Sequence, residues 1–133
     1  MKLILGLVLL GIVALLGFVR LAPSDPMRWH QMPDNITDRD LEGGAMRQRT
    51  GDLAALDAII RATPRTGVLA GEVECGMITY VTRSKVFGFP DYTTVRQDGE
   101  RLEIYGRLRF GRSDLGVNAA RIDGWLGRLG QGG

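Results

Sequence analysis

Arginine occurs four times between positions 107 and 121, with Ser113, Asp114 and Asn118 set among the guanidinium groups. The stretch Arg107-Leu-Arg-Phe-Gly-Arg-Ser-Asp-Leu-Gly-Val-Asn118 reads as a strand end, a glycine-rich loop and a helix start. Free backbone amides at a helix start attract anions, and arginine adds charge and forked donors. Arg107, Arg109, Arg112, Ser113, Asp114, Asn118 and Arg121 are therefore the candidate ligand-binding set. The chemistry fits a small acidic ligand, an anionic lipid headgroup or an acidic protein surface. The same residues also have a structural reading. Gly111 and Gly116 then supply positive φ, Asp114 pairs with Arg121, and Asn118 caps the helix.

Other arrangements for chemistry are weaker. Ser113 lacks the Gly-x-Ser-x-Gly elbow, and His30, the single histidine, lies among prolines, so a hydrolytic triad has no support. Cys75 has no local base, and one cysteine cannot close an internal disulfide. Asp91 and Asp114 are two carboxylates from distant loops, a thin basis for acid–base work or Ca²⁺. One histidine excludes a multi-histidine metal site, and no phosphate-binding glycine loop of nucleotide type is present. No catalytic residue, metal ligand or cofactor is assigned. Two functions remain: a non-catalytic binding or accessory module, favoured, and a small-molecule enzyme using Asp114, Ser113 and Arg121 at the 111–121 loop.

Charge narrows the partners. Of 17 basic residues, Lys2 and Arg20 flank an apolar run, and the other 15 match the 15 acidic ones. A neutral domain argues against nucleic acid, whose binding rests on neutralising phosphates. Residues 23–80 carry six basic and nine acidic side chains, and residues 81–133 the reverse, nine and six.

The elements that must position these residues begin with seventeen uncharged positions, Leu3 to Val19. Residues 1–22 are long enough, at about 1.5 Å per residue, to cross a bilayer core. Cleavage behind Ala22 would set Arg20 where a small residue is required, so the segment is expected to stay as an anchor. The two-residue start Met1-Lys2 favours a cytoplasmic N-terminus. The expectation is a single-pass protein of a bacterial cytoplasmic membrane, its domain on the periplasmic side.

Residues 23–50, with Pro23, Pro26 and Pro33, read as a tether in which Trp29, Ile36 and Leu41 can dock. Trp29 fits equally a place at the lipid headgroups. Residues 51–133 read as an α+β domain. Asp52 caps a helix carrying Leu53, Leu56, Ile59 and Ile60 on one face, ended by Thr63-Pro64. Four strands follow at Val68–Glu74, Met77–Arg83, Tyr92–Arg96 and Arg101–Phe110, the last pair joined by an Asp98-Gly99 turn. On the last strand Leu102, Ile104, Leu108 and Phe110 face one way, and Arg101, Glu103, Tyr105, Arg107 and Arg109 the other. A helix from Asn118 to Leu129 carries the stripe Ala119, Ile122, Trp125, Leu126, Leu129, and Gly130–Gly133 reads as a frayed tail. The expected architecture is a mostly antiparallel four-stranded sheet with both helices on one face and the other face open.

"GRSDLGVNAARIDGWL" and "TRSKVFGFPD" resemble an uncharacterised bacterial family, domain of unknown function 1499, over about Asp52 to Leu129. Gly88, Phe89, Asp91, Ser113, Asp114, Gly116, Asn118 and Arg121 match by position. The chain departs from the family where an Asn-Cys-Val-Ser-like motif is absent before Asp52, and where Asp91 is followed by Tyr92 rather than a second aspartate. The resemblance implies a membrane-linked envelope protein without a settled activity.

Overall fold

The computed structural model describes residues 1–132; Gly133, the last residue of the expected frayed tail, lies outside the described residues. An apolar helix, α1 (Lys2–Leu21), is followed by a short helix, α2 (Pro26–Trp29). Strands β1 (Arg39–Leu41) and β2 (Gly44–Thr50) come next, then helix α3 (Leu53–Arg61). After them run β3 (Thr66–Glu72), β4 (Met77–Arg83), β5 (Pro90–Asp98), β6 (Arg101–Leu108) and helix α4 (Val117–Gly132). All strands join one antiparallel sheet in the order β1-β2-β6-β5-β4-β3.

The α+β class, the apolar N-terminal helix and the antiparallel sheet agree with expectation. The strand count does not: the sheet has six strands, not four. The additional two lie within residues 39–50, expected as tether. Gly44-Ala-Met-Arg-Gln-Arg-Thr50 lacks the apolar alternation that marks a strand, yet it pairs with β6 along its whole length, from Gly44 opposite Arg107 to Thr50 opposite Arg101. Backbone pairing makes this strand, with Ala45 its one fully buried apolar side chain. Arg47 points to the helix side and is held by Asp123 of α4 at 2.8 Å and Asp40 of β1 at 2.7 Å.

The expected helix cap at Asp52 forms, its carboxylate accepting from Ala55 N at 3.1 Å. Leu53, Leu56 and Ile60 of α3 and Ile122 and Trp125 of α4 pack on Ala45, Ile78, Tyr80, Val95, Leu102 and Ile104 of the sheet. Both helices thus share one face. Gly106 of β6 is where α4 comes closest: a Cβ there would lie 2.9 Å from Ile122 Cδ1 and 3.1 Å from Asn118 Oδ1. The residues Gly130 to Gly132 continue α4 rather than fraying.

The opposite face is not bare. On it Thr79 and Thr94 are fully buried, and Glu103 and Arg107 nearly so, because residues 23–36 fold back across it.

Candidate functional site

The seven residues of the arginine-rich stretch separate into two groups on opposite faces, with Arg112 and Ser113 exposed in the loop between them. Under α4, Asp114 Oδ1 accepts from Gly116 N at 2.9 Å, and its Oδ2 accepts from both the backbone N and Nδ2 of Asn118 at 2.9 Å. Asp114, not Asn118, therefore satisfies the free amides at the start of α4. Burial works to raise the Asp114 carboxyl, but the Asn118 and Gly116 donors outweigh it and hold it below its ordinary value.

Asn118 is fully buried, and its Oδ1 accepts from Arg121 Nη1 at 3.1 Å. Arg121 also pairs with Asp91 at 3.1 Å, so the expected Asp114–Arg121 pair is replaced by Asp91–Arg121. Burial pushes the Asp91 carboxyl up, against the pull of Arg121. Gly111 and Gly116 do take positive φ, 97° and 79°. Asp91, Asp114, Asn118 and Arg121 each have a partner inside the cluster, and its visible work is to fasten α4 to β5.

On the other face Arg107 and Arg109 bind the folded-back segment. Trp29 stacks on Tyr92 with ring centroids 4.1 Å apart, and its carbonyl accepts from Arg107 Nη2. Arg107 Nη1 donates to Thr94 Oγ1 at 2.8 Å and to the Tyr105 carbonyl at 3.1 Å. Thr94 shares a hydrogen bond with Thr79 at 2.8 Å, and Thr79 with His30 Nδ1 at 2.8 Å. Arg109 reaches the Pro23 carbonyl at 3.0 Å and the Tyr92 hydroxyl at 3.1 Å; that hydroxyl meets Ser24 Oγ at 2.6 Å. Trp29 thus docks onto the domain, and the strand face expected to be open is covered along this line.

Arg107 is the unusual member. Only 9% of it is exposed, and no carboxylate pairs with it among the described residues. Burial lowers its pKa to about 10, so it stays charged at neutral pH. Its acceptors are a hydroxyl and two carbonyls, while Nε has none in the protein. Arg107 also lines a cleft of about 450 Å³ together with Arg28, Trp29, Gln31, Met32, Pro33 and Tyr105. The guanidinium of Arg107 lies over Tyr105 at 4.6 Å and Trp29 at 5.5 Å, and that of Arg28 over Trp29 at 4.8 Å. The cleft thus presents two cations and two aromatic rings, and no carboxylate lines it.

Sequence reasoning named Arg107 and placed Tyr105 beside it on one face. It missed Arg28 and the polar line His30–Thr79–Thr94, because those residues come from three separate elements and no local spacing joins them. Cys75 stands apart from both groups: it is exposed, and the hydrogen bond to Glu72 pushes its thiol up.

A small antiparallel α+β domain behind one apolar helix, with an arginine-bearing strand leading through Ser-Asp-Leu-Gly-Val-Asn into a buried cap, defines the class of protein. The model of the family described as protein of unknown function (DUF1499) matches residues 19–129, and the chain belongs to that family. The match begins well before Asp52, so it takes in the segment that covers the sheet. No curated protein and no solved structure matches the chain.

Proposed function

We propose that this protein is a membrane-anchored, non-catalytic binding module that holds a small anionic ligand in the cleft between Trp29 and Arg107. The observation that carries the reading is Arg107 itself: a nearly buried guanidinium without a carboxylate partner, lining an open cleft. Burying an unpaired charge is costly, and a ligand carboxylate or phosphate would offset that cost with a charge-assisted, forked hydrogen bond. Trp29 and Tyr105 suit a ligand whose anionic group is attached to an apolar or aromatic part.

The anchor in this reading is α1, the one helix among the described residues long and apolar enough to cross a membrane. Its 20 residues span about 30 Å, the thickness of a hydrocarbon core. In this reading the domain lies on the outer side of a cytoplasmic membrane, in a cell envelope, and the basic Lys2 at the N-terminal end of α1 supports that orientation. A non-catalytic role is preferred in this reading because Asp114 accepts from the helix amides and Arg121 pairs with Asp91, which counts against the alternative enzyme set.

Titration of detergent-solubilised full-length protein with phenyl phosphate and benzoate, followed through Trp29 fluorescence in a Trp125→Phe background, tests this. A saturable change that Arg107→Gln abolishes and Arg28→Gln weakens is the expected result. A Trp29 signal unmoved by either anion sinks the proposal.

A further inference from the structure

A second group of cations lies where α1 meets the sheet. Arg20, Arg65, Arg83 and Lys85 line one groove of about 690 Å³, and no acidic side chain lines it with them. None of the four pairs with a carboxylate among the described residues. Their hydrogen bonds go to backbone carbonyls instead. Arg20 Nη2 donates to Val86 O at 2.7 Å, Arg83 Nη1 to Gly88 O at 2.9 Å and Val19 O at 3.3 Å, and Arg65 Nε to Arg83 O at 3.1 Å.

Those bonds press the loop 84–89 against the last turn of α1. Gly88 makes the approach possible: its φ is 74°, and a Cβ there would lie 3.0 Å from Arg20 Cγ. The loop exposes apolar side chains beside the cations, with Val86 68% and Phe87 49% accessible. An aromatic run continues from Phe87 to Phe89 (5.8 Å), Phe110 (6.5 Å) and Phe18 of α1 (6.0 Å). Cations without counter-ions, next to exposed aromatic and aliphatic side chains, are poorly explained by contact with water alone.

We propose that the surface formed by Arg20, Arg65, Arg83, Lys85, Val86 and Phe87 docks on anionic phospholipid headgroups and lays the domain flat on the bilayer that α1 enters. The inference rests on the anchor reading of α1 above and is independent of the Arg107 cleft. The end of a spanning helix lies at headgroup level, where aromatic residues concentrate. Contact with α1 fixes the 84–89 loop at that same height. Basic side chains near an anionic leaflet then strengthen the contact by several-fold each, falling off within a Debye length. A bilayer also accommodates Val86 and Phe87 in the layer below the phosphates, which a soluble anion does not.

The test uses the full-length chain reconstituted in phosphatidylcholine vesicles with or without phosphatidylglycerol. A Val86→Cys, Cys75→Ser variant is labelled with a membrane-impermeant maleimide. Wild-type Cys75, in the turn at the other end of the β3–β4 hairpin, is the reference for a site away from lipid. Phosphatidylglycerol is expected to slow labelling at position 86 by at least about fivefold relative to Cys75. Adding Arg65→Gln and Lys85→Gln is expected to restore the rate seen in neutral vesicles. Equal relative rates in the two kinds of vesicle overturn the proposal. Protection by inorganic phosphate in neutral vesicles also overturns it, by assigning the groove to a soluble anion. Extraction of the same vesicles with alkaline carbonate separates the causes of failure. A chain that washes off refutes the anchor too, whereas one that stays while labelling equally refutes only the docking surface.

Discussion

The two faces of the sheet are closed by different kinds of chain, and the closures work by different physics. On the helix face, α3 and α4 set apolar side chains onto Ile78, Tyr80, Val95, Leu102 and Ile104, and the gain comes from area removed from water. On the other face the cover is segment 23–36, which holds only the one-turn helix α2, and it is held by directed contacts. These are the Trp29–Tyr92 stack, the Trp29 and Pro23 carbonyls on Arg107 and Arg109, and the His30–Thr79–Thr94 line. Apolar burial is indifferent to direction. Hydrogen bonds and stacking are not, and they leave gaps wherever no acceptor is supplied. The second face therefore keeps a cleft and an incompletely satisfied arginine. A face closed by polar contacts can also admit a ligand without dismantling the core.

Truncation of Leu56, fully buried beneath α3, should give the largest loss in this comparison, about 2–5 kcal/mol in urea unfolding of Leu56→Ala. Trp29→Ala on the opposite face should cost less, about 2 kcal/mol, because Trp29 is only half-buried and what is lost is one stack and its area. A Trp29 loss equal to that of Leu56 would erase the distinction between the faces.

The smallest effect, about 1 kcal/mol at neutral pH, is expected for Asp114→Asn, which weakens the cap of α4. Its pH dependence sharpens the comparison. The Asp114 carboxyl is held below its ordinary 3.8, so the folded chain binds fewer protons there than the unfolded one. Its contribution is present above 3.8 and is lost as acid carries the pH through the lowered folded value. Asp91 runs the other way: its raised pKa means that stability falls as pH rises from 3.8 through the folded value. Unfolding midpoints of wild type and Asp114→Asn should thus converge in acid. A gap that stays constant into the acid limb would show that the carboxylate's charge contributes nothing.

Much of the helix face was legible residue by residue. The spacing of Leu53, Leu56 and Ile60, the Asp52 cap, the Thr63-Pro64 stop and the alternation of Leu102 and Ile104 each carry a local periodic signal that burial then uses. The Ser-Asp-Leu-Gly-Val-Asn loop was legible as a helix start, but its wiring was shifted. Asp114 took the amides, which left Asn118 free to join Arg121 and the sheet. Strand β2 was not legible, since Ala45 is its only wholly buried apolar residue and its place comes from hydrogen bonds to β6.

Local sequence determined the elements whose side chains repeat with the period of their own backbone, together with the apolar length of α1. Tertiary structure alone decided which face residues 23–36 would cover, that Arg107 would be buried without a counter-charge, and that Arg20, Arg65, Arg83 and Lys85 would share one groove. The reason is range. Periodicity is a property of neighbours, whereas these clusters join side chains tens of residues apart, and only the completed sheet brings them within bonding distance.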